Sequence, residues 1–214
     1  MIRLEKKGAR LRRWEFALLF GTALAALLGV WLGGQQTALS DKVIRLHIIA
    51  NSDSAADQAL KLQVRDRILA QSGALFSQNL PVEEAERQLT AHLGEFAAAG
   101  AEVVGRAGYS YPVSASLEHE VWFPTKQYTD FALPAGNYTA LRVVLGDGQG
   151  RNWWCVVFPP LCLGSVTEEV AQTALAGGFS QEELSLITGE TEGYIIKFKA
   201  IELWNGFRAW AERR

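Results

Sequence analysis

Cys155 and Cys162 are the two cysteines of the sequence, and they lie close together around two adjacent prolines. Outside the cytoplasm, such a pair favours a local disulfide that closes a stiff turn. In the chain-entropy model, a loop this short contributes on the order of 2 kcal/mol. The functional alternative is a cysteine nucleophile with His47 or His119 as its base, but neither histidine lies in a recognisable catalytic signature. A disulfide or paired thiols are therefore favoured, and two buried unlinked thiols are the third interpretation.

Asn51, Asp53 and Asp57 have the residue types that open a calcium-binding loop. The EF-hand pattern also needs a glycine at its sixth position and a glutamate at its twelfth, where this chain has Ala56 and Leu62. The pattern therefore fails, and a cap between a strand and a helix explains these residues better. Two cysteines and three scattered histidines make no metal-ligand set.

Gly146, Gly148 and Gly150 resemble part of a phosphate-binding glycine loop. In a dinucleotide-binding fold such a loop opens a helix, whereas here Asn152 begins a segment typical of a strand. The glycines therefore predict a hairpin loop. The sequence has no G-x-S-x-G motif, so we predict no catalytic residue, no cofactor site and no small-molecule substrate.

The elements that position these residues follow an apolar run at positions 16–34 that contains no charged residue. As a helix it is almost long enough to cross a hydrocarbon core. Six basic residues precede it against Glu5 alone, and they predict a cytoplasmic N-terminus. We therefore predict a signal peptide or signal anchor over 1–40 and one extracytoplasmic domain over 41–214. The length of the run and the poor cleavage site at Gln36 favour an uncleaved anchor.

The remainder is mildly acidic, and the net charge of the chain is −2, so a broad nucleic-acid-binding surface is excluded. Period-two patterns predict strands over 43–50, 111–123, 138–145 and 152–158. Helical spacing predicts one helix from the Ser54 cap to about Ser72, a second from Pro81 to about Gly105, and further helices at 167–176, 180–187 and 201–214. The predicted fold is α+β, with helices over one face of a mostly antiparallel sheet that ends in a three-strand meander.

Trp153 and Trp154 are adjacent in a predicted strand, so their side chains point to opposite faces of the sheet. One belongs to the core. The other is either covered by a helix or exposed as a binding anchor. The aromatic stripe of Trp204, Phe207 and Trp210 poses the same choice, and core packing is the commoner outcome.

Several short strings of the sequence occur together in one order. They are Ile44-Arg45-Leu46, Ala50-Asn51-Ser52-Asp53-Ser54, Asp57-Gln58, Lys61, Arg65-Asp66, Phe123-Pro124-Thr125-Lys126, Pro134-Ala135-Gly136, Tyr138, Gly150, Asn152-Trp153-Trp154-Cys155 and Val157-Phe158-Pro159-Pro160-Leu161-Cys162. Over roughly residues 43–162 this combination resembles the stage II sporulation protein R family, and residues 194–204 are similar more loosely.

The resemblance implies an exported sporulation signal. Members of the family leave the forespore for the space between forespore and mother cell. There they activate a membrane-embedded aspartic protease, the sigma-E factor processing peptidase, which processes pro-sigma-E. The resemblance thus implies that protease as partner, the membrane as a further contact through residues 16–34, and no enzymatic activity. An uncleaved anchor would tether the signal to the forespore membrane.

The candidate partner-binding residues lie in three segments of the resemblance. They are Asn51, Asp53, Arg65, Phe123, Lys126, Trp153 and Trp154. For each segment the alternative is a structural role, as helix cap, strand end or core. Two other function classes are kept as alternatives: an extracytoplasmic enzyme that uses Cys155, and a passive envelope scaffold domain.

Overall fold

A computed structural model describes residues 13–76, 80–128, 131–161 and 167–188. The elements predicted over 194–214 lie outside the described residues. In chain order the described elements are α1 (Arg13–Ser40), β1 (Ile44–Ile49), α2 (Ala55–Leu75), α3 (Val82–Ala91), α4 (Leu93–Arg106), β2 (Val113–Phe123), β3 (Lys126–Gln127), β4 (Ala132–Leu133), β5 (Gly136–Leu145), β6 (Asn152–Phe158), α5 (Thr167–Ala176) and α6 (Gln181–Thr188).

The main sheet has four strands in the order β2-β5-β1-β6. β1 runs parallel to β5 and antiparallel to β6, and β2 runs antiparallel to β5. The predicted α+β class is confirmed, with a mixed sheet. The predicted meander is wrong because β1 lies between β5 and β6. The reason is that five of the six residues of β1 are buried, which requires a central position.

Three helices cover one face of this sheet. Apolar side chains of α2 and α4, among them Val64, Ile68 and Phe96, pack against Leu46 and Leu141 of the central strands. The single helix predicted from Pro81 is in fact two, α3 and α4, which meet at His92. We call this packed layer the first core.

The other face of the sheet is also covered, in contrast to the prediction of helices on one face. α5, α6 and the small β3–β4 hairpin contribute Ala174, Leu184 and Leu133, which pack near Tyr138 and Val156 of the sheet. We call this layer the second core. The predicted positions of α5 and α6 are confirmed.

α1 contains the apolar run of residues 16–34, and its end packs through Leu39 into the second core. In the part of the chain that the structure describes, no helix reaches the length and hydropathy that a membrane crossing requires. The membrane role predicted for this segment is thus not confirmed.

Candidate functional site

The loop between β1 and α2 is built around the buried carboxylate of Asp57. Ser54 caps the helix, because its Oγ accepts a hydrogen bond from the backbone N–H of Asp57 at 3.1 Å. Ser52 Oγ and Asn51 Nδ2 donate to Asp57 Oδ2, and Tyr111 donates to Oδ1 at 3.1 Å. The cap predicted from the sequence is therefore present, and Asp57 also joins the loop to the start of β2. We call these five residues the cap network.

Hydrogen bonding sets the acidity of this network. The bond from Ser52, aided by those from Asn51 and Tyr111, holds the pKa of the Asp57 carboxyl below its ordinary value and outweighs the opposite effect of burial. Burial, together with the Asp57 carboxylate, raises the pKa of the Tyr111 phenol. Near neutral pH, Asp57 is thus an anion and Tyr111 a neutral donor.

The glycine loop between β5 and β6 crosses this site rather than forming a hairpin. Asn51 Oδ1 accepts from the backbone N–H of Asp147 at 3.0 Å, and the N–H of Gly150 donates to Ala50 O at 2.9 Å. A Cβ at Gly146 would lie 2.1 Å from Asn51 Oδ1, and one at Gly150 would lie 2.2 Å from Ser52 O. Both positions are glycine because the two loops approach this closely.

Cationic side chains of α2 reach from the cap network to β6. The guanidinium of Arg65 lies 4.5 Å from the ring centroid of Trp153, close enough for a cation–π contact. Lys61 is buried and donates to Arg151 O at 2.8 Å, while Asp53 Oδ1 accepts from the N–H of Arg151 at 2.7 Å. Burial, with a smaller effect from Arg151, lowers the pKa of Lys61.

Four predicted candidates, Asn51, Asp53, Arg65 and Trp153, therefore meet in one place. Both ends of the Asn51 amide are occupied by internal partners. The side chains of Asp53 and Arg151, in contrast, are 63% and 73% exposed. The outer rim of the site, and not Asn51, is the part that a partner can reach.

The second group of candidates surrounds Arg45, whose side chain is fully buried. Its guanidinium lies 4.4 Å from the ring of Phe123 and 4.9 Å from that of Tyr138. Nε donates to Cys155 O at 3.1 Å, and one Nη donates to Tyr128 Oη at 3.0 Å. The other, Nη1, has no hydrogen-bond partner in the described part of the chain. We call these residues the Arg45 cluster.

The Arg45 cluster fixes the hairpin that carries Lys126. Tyr128 stacks on Phe131 at 4.4 Å, and its backbone N–H donates to Phe131 O at 2.8 Å. Thr125 Oγ1 accepts from the N–H of Ala135 at 3.1 Å, which closes the base of the hairpin. Lys126 is exposed on this hairpin.

The other two candidates of this group are less accessible. Phe123 has no exposed surface, so its ring packs in the second core and is not available to a partner in this state. Trp154 is half-buried, with its ring 6.5 Å from that of Phe123. Trp153 and Trp154 do lie on opposite faces, packed against the first and second cores respectively.

Cys155 is buried against the first core and is disulfide-bonded. Cys162 lies outside the described residues, so the predicted pairing stays a prediction. His47 is opposite Trp154 on β1, and its side chain therefore faces away from that of Cys155. His119 is on β2, two strands from β6. Within the described ranges, no group of three or more His, Cys, Asp or Glu residues is arranged to hold a metal.

Sequence reasoning missed Arg45, Tyr128 and Tyr111 as members of these sites. One signal was available for Arg45, a charged residue inside an otherwise apolar strand. Neither tyrosine is marked by local spacing, because the partners lie 83 residues away for Tyr128 and 54 for Tyr111.

A model of the family described as stage II sporulation protein R matches residues 40–168. The chain belongs to the stage II sporulation protein R family. A relative with that name from Bacillus subtilis (strain 168) is 40% identical over 128 residues, which are 60% of this chain and 57% of the relative. The match thus spans little more than half the length of that relative. No solved structure matches the chain significantly.

The matched region of the stage II sporulation protein R family contains the cap network and the Arg45 cluster. Membership assigns the chain a role in sporulation. Neither description names a reaction, so the predicted lack of catalysis is part of the proposal below.

Proposed function

We propose that this chain is a sporulation signal exported from the forespore, and that it activates the membrane-embedded aspartic protease that processes pro-sigma-E in the mother cell. Family membership over residues 40–168 is the observation that carries the proposal. The chain itself acts by binding and catalyses no reaction.

Two features of the molecule support export. Large apolar side chains on the first half of α1, among them Phe16, Phe20 and Leu27, are exposed, and contiguous apolar surface of this kind marks a membrane or protein contact. Cys155 is disulfide-bonded, and disulfides persist mainly outside the cytoplasm. We therefore propose that residues 16–34 insert into or cross the forespore membrane, with the folded domain on the far side.

Activation of a protease by a non-enzyme must come from differential binding. The signal favours the active state of the protease only if it binds that state more tightly than the inactive one. A rigid contact surface serves this purpose because little conformational entropy is lost on binding. The Lys126 hairpin and the Asp53–Arg151 rim meet this requirement, since both are exposed and both are held by buried hydrogen bonds.

The rival cysteine enzyme is disfavoured by the state of its nucleophile. A disulfide-bonded Cys155 is not a thiolate, and both candidate histidines are turned or placed away from it. The passive scaffold differs from the signal in its consequence: its loss would leave sigma-factor processing intact.

The test is a reconstitution in a non-sporulating host that expresses the full chain, the protease and its pro-sigma substrate. We expect cleavage of the substrate, followed by immunoblot, only when the chain is present, and we expect cleavage to persist in Cys155→Ser if that variant folds. Lys126→Ala should reduce cleavage, whereas Arg106→Ala, an exposed cation at the end of α4, should not. Absence of cleavage by an exported, folded wild type would refute the proposal.

A further inference from the structure

β2 is the longest strand of the sheet and forms one of its edges. Among the described residues it pairs only with β5, so its outer side presents backbone N–H and C=O groups to solvent. Proteins usually protect such an edge with lysine, proline or inward-pointing charge. The stretch from Val113 to Leu117 carries none of these.

A groove of about 370 Å³ runs beside this edge, between β2 and α3. Leu117 and His119 form its floor on the strand side, and α3 contributes Glu83, Glu86 and Thr90 from the helix side. The groove therefore has an apolar and aromatic floor beneath an acidic wall.

Trp122 lies at the far end of the same strand and is 55% exposed. The register of β2 shifts between Glu118 and Val121, and Glu120 adopts a φ of 56° there. Such a bulge re-aims the side chains that follow it. Val121 and Phe123 pack against the second core, so Trp122 projects from the opposite face, which carries α3.

The charges around the groove are unequal. Glu83 and Glu86 line it, and Glu120 lies on the bulge next to Trp122. The cation on the same wall, Arg87, is paired with Glu84 of its own helix. The groove therefore favours a cationic ligand.

We propose that β2 binds an extended, basic segment of the protease as a fifth strand of the sheet. Backbone hydrogen bonds along the open edge hold the segment, as in other strand-addition complexes. Its apolar side chains contact Trp122 and Leu117, and its lysine or arginine side chains face Glu83 and Glu86. This inference rests on the proposed function, because it names where the proposed partner binds.

Two changes to the groove test the proposal in the full chain, co-expressed with an affinity-tagged protease. They are Trp122→Ala and the double variant Glu83→Lys/Glu86→Lys. The matched controls are Tyr109→Ala, an exposed aromatic outside the groove, and Glu95→Lys/Glu102→Lys on α4. Each double variant changes the charge equally and alters one acid in the first turn of a helix.

We expect co-purification with the protease to fall at least about tenfold in both groove variants and to stay near wild type in the controls. Substrate cleavage should fall in parallel. If wild type triggers cleavage and the groove variants do so equally well, the groove is not the binding site, although the proposed function stands. If wild type triggers no cleavage, the proposed function fails. The groove is then judged by co-purification alone: loss in the groove variants supports it, and equal or absent binding overturns it.

Discussion

Asp57 and Arg45 are both buried charges of this domain, but their surroundings differ. The Asp57 carboxylate receives hydrogen bonds from three neutral side chains, two of them within six residues along the chain. The Arg45 guanidinium lies between two aromatic rings and keeps one nitrogen without a partner among the described residues.

The difference teaches that two routes to burying a charge have different consequences. Removing Asp57 strands the donors that were oriented towards it, and unsatisfied buried donors are costly. Removing the charge of Arg45 leaves mainly apolar neighbours, which need no replacement partner. The cap network should therefore depend on its charge for stability. The Arg45 cluster should depend on its charge mainly for the position of the hairpin.

The largest effect is expected from Asp57→Ala. The change leaves Asn51, Ser52 and Tyr111 without their acceptor, so the free energy of unfolding should fall by about 3 kcal/mol. Urea denaturation measures it. The control is Asp66→Ala on the same helix, where an exposed carboxylate should contribute less than about 0.5 kcal/mol. Equal effects of the two variants would show that the cap network is not a stabilising unit.

An intermediate effect is expected from acid. Because the folded state lowers the pKa of Asp57, its contribution is fully present above the pKa of the unfolded state. The contribution is lost as pH falls through the folded-state pKa. The stability difference between wild type and Asp57→Asn should therefore narrow from about pH 6 to about pH 3. A difference that is constant over this range would contradict the assigned role of the carboxylate.

The smallest effect on stability is expected from Arg45→Met. The methionine fills much of the same volume among aromatic rings, so the free energy of unfolding should change by less than about 1 kcal/mol. Hydrogen exchange in β3 and β4 should nevertheless become faster, because Tyr128 loses its anchor. Arg45→Ala is the comparison, since it also leaves a cavity and should destabilise more. Unchanged exchange in Arg45→Met would separate Arg45 from the hairpin.

The same contrast explains what the sequence could predict. The cap between Ser54 and Asp57 is local, and its spacing alone predicted it. Helices α2, α5 and α6 and the four main strands were found from periodicity, for the same reason. The Arg45 cluster joins separate strands and a hairpin, so no local pattern marks it. Trp122 was not singled out, because its exposure depends on a bulge that residue types do not reveal.

The strand order was the main error, and its cause is general. A period of two shows which residues share a face, but not which strand lies beside which. The glycine-rich connection suggested that β5 and β6 were neighbours. In the structure, the close approach of Asn51 and Ser52 explains the glycines at 146 and 150.

The central position of β1 also determines when this domain can fold. The first residue of β1 pairs with Thr139 in β5 and Phe158 in β6. A chain that emerges N-terminus first, from a ribosome or a membrane pore, therefore presents its innermost strand long before either neighbour exists. Until β6 has emerged, this strand can only be held unfolded or mispaired. Folding of the sheet is consequently a late, post-emergence event, and a chain truncated before residue 152 would lack one side of its central strand.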